Sequence, residues 1–383
     1  MLEPPAIPLE RLTARLLADY GLPAQALVFL PLGADVHTAV YRLAVPSGEA
    51  YFVKLRGRTF DEVSVTLPAY LHAQGLREII PPLPNRQGRL WSELDDYALV
   101  VYPFIEGQDG YVLALSEAQW VAFGAAVKRL HAAQLPAGLL HRIPREAYDP
   151  RWRNWVKSFQ AQVEQETFDE PIAAQTAAFM RQQSGLISRL VSRAERLAAE
   201  LQSLPQDLVL CHSDLHAGNL HLSAGGGLYI VDWDDPILAP KEHDLMHIGA
   251  TARWTGRRIK SLFYRGYGAA QLDGRALTYY RCERIIRDIA EFCKQLLATS
   301  QGGSDRAQSL AYLTGQFEPG HEVEIATRTG GEGICSEGAS STRTGGEGIC
   351  SEGASNTRTG GEGICSEGGW STGAGGERVC GDG

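Results

Sequence analysis

Alternation and helical periodicity divide the first 326 residues near residue 105. Before that point strand patterns dominate: ALVFLPL, TAVYRLAV and AYFVKLR, the last following a Pro46-Ser47-Gly48-Glu49 turn, then a short strand around GRLW and the apolar run YALVVYPFI. One helical stretch, FDEVSVTLPAYLHAQG, interrupts them, with Pro68 expected to kink it. After Gly107 the apolar positions recur with helical spacing. Ser116 reads as the N-cap of EAQWVAFGAAVKRLHAA, two amphipathic segments follow over 150–203, and two or three more over 255–300. A β-rich insert, DLVLCHSDLHAGNLHLSAGGGLYIVDW, sits between them. The pattern predicts an α+β bilobal protein: a small antiparallel sheet lobe with one helix over 1–105, an apolar connector, and a larger, mainly helical lobe over 106–326. Ligands would enter the cleft between the lobes.

From Thr327 the text repeats every 15 residues, TRTGGEGICSEGASS and its variants, placing Cys335, Cys350, Cys365 and Cys380 at a fixed spacing. The segment 327–383 has too few apolar residues to offset the entropy of ordering it, and reads as a disordered tail outside the fold. Its lone cysteines lack the CxxC or histidine company of a zinc site, so a metal-binding or cross-linking tail is the lesser alternative.

Composition narrows the function. The 383 residues are 44% hydrophobic, enough for real cores, and the net charge of -9 provides no basic field for nucleic acid or anionic lipid. The N-terminus has no apolar h-region and the chain no apolar run of membrane-spanning length. Only Cys211, Cys282 and Cys293 lie before the repeats, too few and unpatterned for a disulfide framework. Together these predict a cytoplasmic enzyme acting as monomer or dimer, with no nucleic acid or membrane partner.

The insert carries the chemistry. The strand LVLC runs into His212-Ser213-Asp214, a polar loop reaches Asn219, and a glycine turn leads to LYIVD ending at Asp232. A hairpin centred near Gly225–Gly226 would pair Leu222 with Tyr229 and Asn219 with Asp232, bringing an amide oxygen and a carboxylate together at its open end. Hard oxygen ligands of this kind suit Mg²⁺ shared with phosphates. Asp214 lies one loop earlier, where it could orient or deprotonate a hydroxyl. The order H-x-D-x-x-x-x-N followed by a second Asp is that of kinase catalytic and metal-binding segments.

HSDLHAGNL, IVDWDDP and LAPKEHDLMHIG, with YFVKLR, FDE and YYRCERIIRDIAEFC, resemble the aminoglycoside phosphotransferase family over roughly residues 5–326, and within it the spectinomycin-modifying members. The resemblance implies a protein-kinase-like fold and transfer of the γ-phosphate of ATP or GTP to a hydroxyl of a small molecule. It implies Asp214 as catalytic base, Asn219 and Asp232 as Mg²⁺ ligands, His212 as brace and Asp244 as cap of the catalytic loop. Lys54 would contact the nucleotide phosphates, with Glu62 as its helix partner. Gly33 would mark a nucleotide loop with one glycine where kinases have three, and Tyr102, Phe104 and Ile105 would line the adenine edge. The implied acceptor is a cationic aminocyclitol, for which Asp234, Asp235 and Glu283 are candidate ligands and Trp152 and Trp155 a candidate apolar wall. Kinases of choline, homoserine and sugars share the same core motif, so a small metabolite is the alternative acceptor. Two other classes remain open: a two-metal hydrolase using His212, Asp214, His216, Asp232, Asp234, His243 and Asp244, and a nucleotide-binding scaffold without turnover.

Overall fold

The computed structural model describes residues 4–32, 37–57, 60–249, 251, 254, 256–299, 303–328 and 334–337. It opens with helix α1 (Leu9–Arg15), whose last turns widen into a π-helical segment over Leu16–Tyr20. Strands β1 (Ala26–Leu30), β2 (Thr38–Ala44) and β3 (Ala50–Arg56) follow, then helix α2 (Val63–Ala73), β4 (Ser92–Leu94) and β5 (Tyr97–Pro103). The five strands form one antiparallel sheet in the order β1-β2-β3-β5-β4. The strand expected around GRLW thus begins just beyond it, at Ser92.

Period-two alternation decides what β3 shows to each side. Val53 and Leu55 are fully buried in a core shared with Leu12, Leu16, Tyr41 and Leu99, while Lys54 and Arg56 point to the opposite face. Helix α2 runs through Pro68 without breaking. Its apolar residues Val63, Leu67 and Leu71 belong to the core of the second lobe, not to that of the sheet. Polar ties follow the same route: Tyr70 donates to the Gln134 carbonyl at 2.7 Å, the Ile230 amide to the Glu78 carbonyl at 2.7 Å, and Arg142 pairs with Asp61 at 3.0 Å.

The second lobe comprises β6 (Gly107–Asp109), α3 (Glu117–His131), α4 (Ala137–Leu140), α5 (Arg151–Gln165), α6 (Pro171–Gln182) and α7 (Ser184–Gln202). It continues with β7 (Leu208–Cys211), β8 (Leu220–Ser223), β9 (Leu228–Ile230), β10 (Ile237–Pro240), α8 (Glu242–Leu245) and α9 (Arg257–Tyr267). Last come β11 (Ala270–Asp273), α10 (Gly274–Leu297), α11 (Gly303–Gly315), α12 (Glu322–Arg328) and β12 (Ile334–Glu337). Ser116 caps α3 through a complete capping box with Gln119. Three helices, not two, fill 150–203, because Glu170 caps a separate helix that starts on Pro171. α10 is the axial helix: Ile285, Ile286, Ile289, Ala290, Cys293 and Leu296 are buried on it. At the C-terminal end, α12 spans the expected boundary at 326 and β12 pairs antiparallel with β11, so some of the segment set aside as tail is paired with the lobe. No described helix is long and apolar enough to cross a membrane.

Helices α3 and α9 cross at glycine contacts. A Cβ on Gly124 would collide with the Phe263 carbonyl, and one on Gly266 with the Val121 carbonyl. Neither backbone can yield without separating helices that bury Phe123 and Phe263. Gly124→Ala should therefore destabilise the fold by about 1–3 kcal/mol, the usual cost of overpacking, read as a lower denaturation midpoint at unchanged slope.

Candidate active site

The site is built on a backbone hook. Asp244, in α8 and fully buried, accepts the amides of His212 (2.9 Å) and Ser213 (2.8 Å), while His131 Nε2 donates to the same carboxylate at 3.1 Å. The other nitrogen of His131 meets the Tyr267 hydroxyl at 2.8 Å. Ser213 is held with a left-handed φ of 76°, a conformation that costs a non-glycine residue of order 1–3 kcal/mol. Its hydroxyl donates to the Asp235 carbonyl at 2.6 Å. The turn aims Asp214 into the cleft. His212 supports it from behind: Nδ1 accepts the Asp214 amide at 3.3 Å, so Nε2 carries the proton donated to the Val231 carbonyl at 3.0 Å.

Asn219 uses its amide NH₂ on the Asp214 carbonyl at 2.9 Å, which turns its oxygen the other way. The hairpin beyond it is shifted by one residue from the expected register. Leu222 pairs with Leu228, His221 with Tyr229, and the Val231 amide donates to the Asn219 carbonyl. The cause is a three-residue loop, Ala224–Gly226, in which Gly226 takes φ +86°. Asp232 is therefore not opposite Asn219. It leaves the strand with φ 66° and meets Lys54 Nζ at 2.7 Å.

Lys54 bridges the lobes. It also reaches Asp234 at 3.1 Å, and Arg56 pairs with that second carboxylate. Asp232 and Asp234 lie on one side of the chain, with Trp233 buried between them on the other. Glu62, expected as the partner of Lys54, instead accepts from Trp91 Nε1 at 3.0 Å and faces Arg142 at 3.4 Å. It sits at the start of α2, only eight residues from Lys54, on the side turned toward the second lobe. Asp234, expected among the acceptor ligands, pairs with Lys54 and Arg56 of β3. Asp235 pairs with Arg287 at 2.9 Å, and Glu283 lies 3.5 Å from the buried Arg153.

At the connector, the Phe104 amide donates to Ala50, the Ile105 carbonyl accepts from His221, and Tyr102 packs edge-on to Phe52. The loop at Gly33 lies outside the described residues. Trp152 and Trp155 pack edge to face at 5.3 Å, partly buried on the core, with Arg287 over Trp152 and Lys294 over Trp155.

The residues that went unnoticed in the sequence lie on α10. Arg284 bonds to Asp214 Oδ1 and, through Nε, to Asp288 at 3.1 Å. Its sequence signal is the polar stripe Arg284, Arg287, Asp288 and Glu291, spaced i, i+3, i+4, i+7 on an otherwise buried helix. His216, named from the sequence only in the two-metal hydrolase set, stands 3.5 Å from Asp214 and stacks on Tyr111.

Electrostatics follow from these contacts. Burial alone would raise the Asp214 carboxyl, but Arg284 and then His216 hold it well below the usual carboxylate range. Burial opposes ionisation of Asp232 too, and Lys54 outweighs it. The Lys54 ammonium, which burial would discourage, is kept charged by Asp232 and Asp234. Asn219 and Asp232 present an amide oxygen and an ionised carboxylate, a donor set that fits Mg²⁺. Among the described residues, the one group of three or more His, Cys, Asp or Glu sharing a point is His131, Cys211 and Asp244. All three are buried and spent on internal hydrogen bonds, and the cluster expected of a two-metal hydrolase does not converge.

A protein-family model described as the phosphotransferase enzyme family (APH) matches residues 28–285. The chain belongs to this family. Spectinomycin phosphotransferase, solved in complex with ADP and spectinomycin, is 35% identical to this phosphotransferase, covering 84% of this chain and 98% of that one with a TM-score of 0.78. Its AMP-bound complex matches at 34% identity over the same shares with a TM-score of 0.75. Protein StrN of Streptomyces griseus is 25% identical over 293 residues, 75% of this chain and 84% of that protein. The kinase-like bilobal fold is thus shared with relatives solved with nucleotide bound.

One pH effect follows for this phosphotransferase. The buried Asp244 carboxyl is opposed by desolvation but held below its usual range by His131, and Asp214 is lowered as well. The unfolded chain therefore takes up these protons at higher pH than the folded one. The stabilisation is complete above about pH 5 and is lost as pH falls through the carboxylate range. Urea titrations from pH 7 to pH 3 should show this loss. Asp244→Asn should cost about 3–5 kcal/mol at pH 7 and show a flatter acid limb.

Proposed function

We propose that this phosphotransferase moves the γ-phosphoryl group of ATP onto a hydroxyl of a cationic aminocyclitol, spectinomycin or a close analogue. The observation that carries the reading is the meeting of Lys54 from the sheet lobe with Asp232 beside the Asp214–Asn219 loop. The likeness to spectinomycin phosphotransferase, which runs over nearly all of that chain, supports the acceptor.

In this reading the nucleotide lies between β3 and the hairpin, with its base against the backbone of Tyr102–Ile105. Lys54 moves from the carboxylates to the phosphates, exchanging one set of anionic oxygens for another. Mg²⁺, held by Asn219 and Asp232, would neutralise phosphate charge. Asp214 accepts a hydrogen bond from the acceptor hydroxyl, aligns its oxygen with the γ-phosphorus and takes the proton as the bond forms. In-line transfer of this kind needs positioning and charge more than covalent help from the protein. The three buried free thiols suit a reducing cytoplasm.

A coupled ADP-release assay over spectinomycin, other aminoglycosides, choline, homoserine and small sugars, each with ATP and with GTP, tests the reading. Spectinomycin should give the highest kcat/KM. A metabolite exceeding it would reassign the acceptor and leave the reaction class intact, while nucleotide binding without turnover on any acceptor would indicate a scaffold. Asp214→Asn should lower kcat by about 10²–10⁴-fold with nucleotide affinity unchanged. Asp232→Asn should lose turnover together with nucleotide affinity in Mg²⁺.

A further inference from the structure

Arg284 stands where the acceptor must go. One of its guanidinium nitrogens bonds to Asp214 Oδ1, the carboxylate that in the proposed reaction accepts the hydroxyl proton. Its Nε is held by Asp288 one turn further along α10, at 3.1 Å. All three side chains are partly open to the cleft, at 25%, 31% and 21% exposure. The next arginine on the stripe has the same form, an acid one turn on and a carboxylate from a distant segment, but its distant partner is Asp235 and not Asp214. Arg287 is satisfied by Glu291 and by Asp235. Asp288 already supplies Arg284 with a local counter-charge, so the bond to Asp214 is an additional one, made from α10 to the loop that follows β7.

We infer that Arg284 is an internal stand-in for the acceptor, filling a hydroxyl subsite at Asp214 and an ammonium subsite at Asp288 until a cationic amino alcohol displaces it. The inference rests on the phosphotransfer reading of Asp214. A guanidinium presents two N–H groups, separated by one carbon, to the two carboxylates. An amino alcohol with an ammonium group close to its reacting hydroxyl offers the same pair of donors: O–H for Asp214 and N⁺–H for Asp288. Spectinomycin, with methylammonium groups beside ring hydroxyls, has this chemistry. A neutral polyol can supply the first donor and not the second, and would leave Asp288 without a cation on displacing Arg284.

The arrangement has a second effect. While Arg284 holds Asp214 Oδ1, water must compete with a charge-assisted bond for that oxygen. With Arg284 removed, water can take the acceptor's place: its oxygen bonds to the γ-phosphorus, the bond to ADP breaks, Asp214 takes the proton, and ATP becomes ADP and inorganic phosphate.

The test uses the full chain with ATP and Mg²⁺, measuring ADP release with no acceptor, with spectinomycin and with the neutral cyclitol myo-inositol. Arg284→Gln should raise acceptor-free ADP release about tenfold, the worth of one hydrogen bond to a charged group, and Arg284→Lys should restore it toward wild type. Asp288→Asn should raise KM for spectinomycin about tenfold by the same measure, without a matching rise in KM for the neutral cyclitol. The inference is overturned if Arg284→Gln and Arg284→Lys both keep wild-type acceptor-free release with intact melting transitions, or if Asp288→Asn affects cationic and neutral acceptors alike. Should Arg284→Gln lack a melting transition, Arg284→Lys and Asp288→Asn decide: both must retain the expected pattern. Wild type without turnover, or Asp214→Asn as active as wild type, defeats the phosphotransfer reading itself. Normal turnover lost in Asp214→Asn, beside an indifferent Arg284→Gln, defeats only the role of Arg284.

Discussion

The geometry of the site depends on one buried carboxylate. Asp244 accepts two consecutive backbone amides and a histidine N–H in a place without solvent. An ionised acid there would be prohibitively unstable without these donors. The amides of His212 and Ser213 would in turn be unsatisfied without the acid. Each side of the bargain fixes the other, and the left-handed turn at Ser213 is what remains when both are met. Asp214, Asn219 and the start of the hairpin take their positions from that turn. Tyr267 and His131 extend the support to α9 and α3, whose glycine crossing sets how near these helices come.

The second constraint is charge balance across the cleft. Lys54 and Arg56 from β3 face Asp232 and Asp234 from the other lobe. Two cations and two anions, all partly removed from water, tie the lobes together and keep Lys54 charged. A polyphosphate entering the cleft competes for cations already in place. α10 is organised similarly, each of Arg284 and Arg287 being held by an acid one turn further along. Both groups of side chains are thus filled with internal salt bridges.

How far the sequence revealed this depends on the range of the interaction. The bilobal α+β architecture was legible because alternation, helical periodicity and the capping residue Ser116 act over a few positions. The segment from His212 to Asp232 was legible as kinase-like from spacing alone, though its geometry was not. A turn centred on Gly225–Gly226 looks as plausible in text as the three-residue loop, and only backbone conformation at Gly226 separates them. Glu62 illustrates the opposite limit. Its proximity to Lys54 in sequence says nothing about direction, and helix α2 faces the second lobe. Asp234 was named as a candidate ligand for the cationic acceptor that the resemblance implies, whereas its position two residues from Asp232 puts it beside Lys54. The stripe on α10 was visible as spacing, but what it faces is decided by a segment seventy residues earlier.

Helix α2 follows the sheet lobe in sequence and the helical lobe in packing. Val63, Leu67 and Leu71 sit in the larger core, and Tyr70, Glu78 and Asp61 are tied to it by hydrogen bonds and an ion pair. A separation of the lobes would therefore part the strands from this helix and leave the helix with the second lobe. Any hinge between the lobes would therefore lie along the seam between α2 and its own sheet as well as at the connector near Pro103.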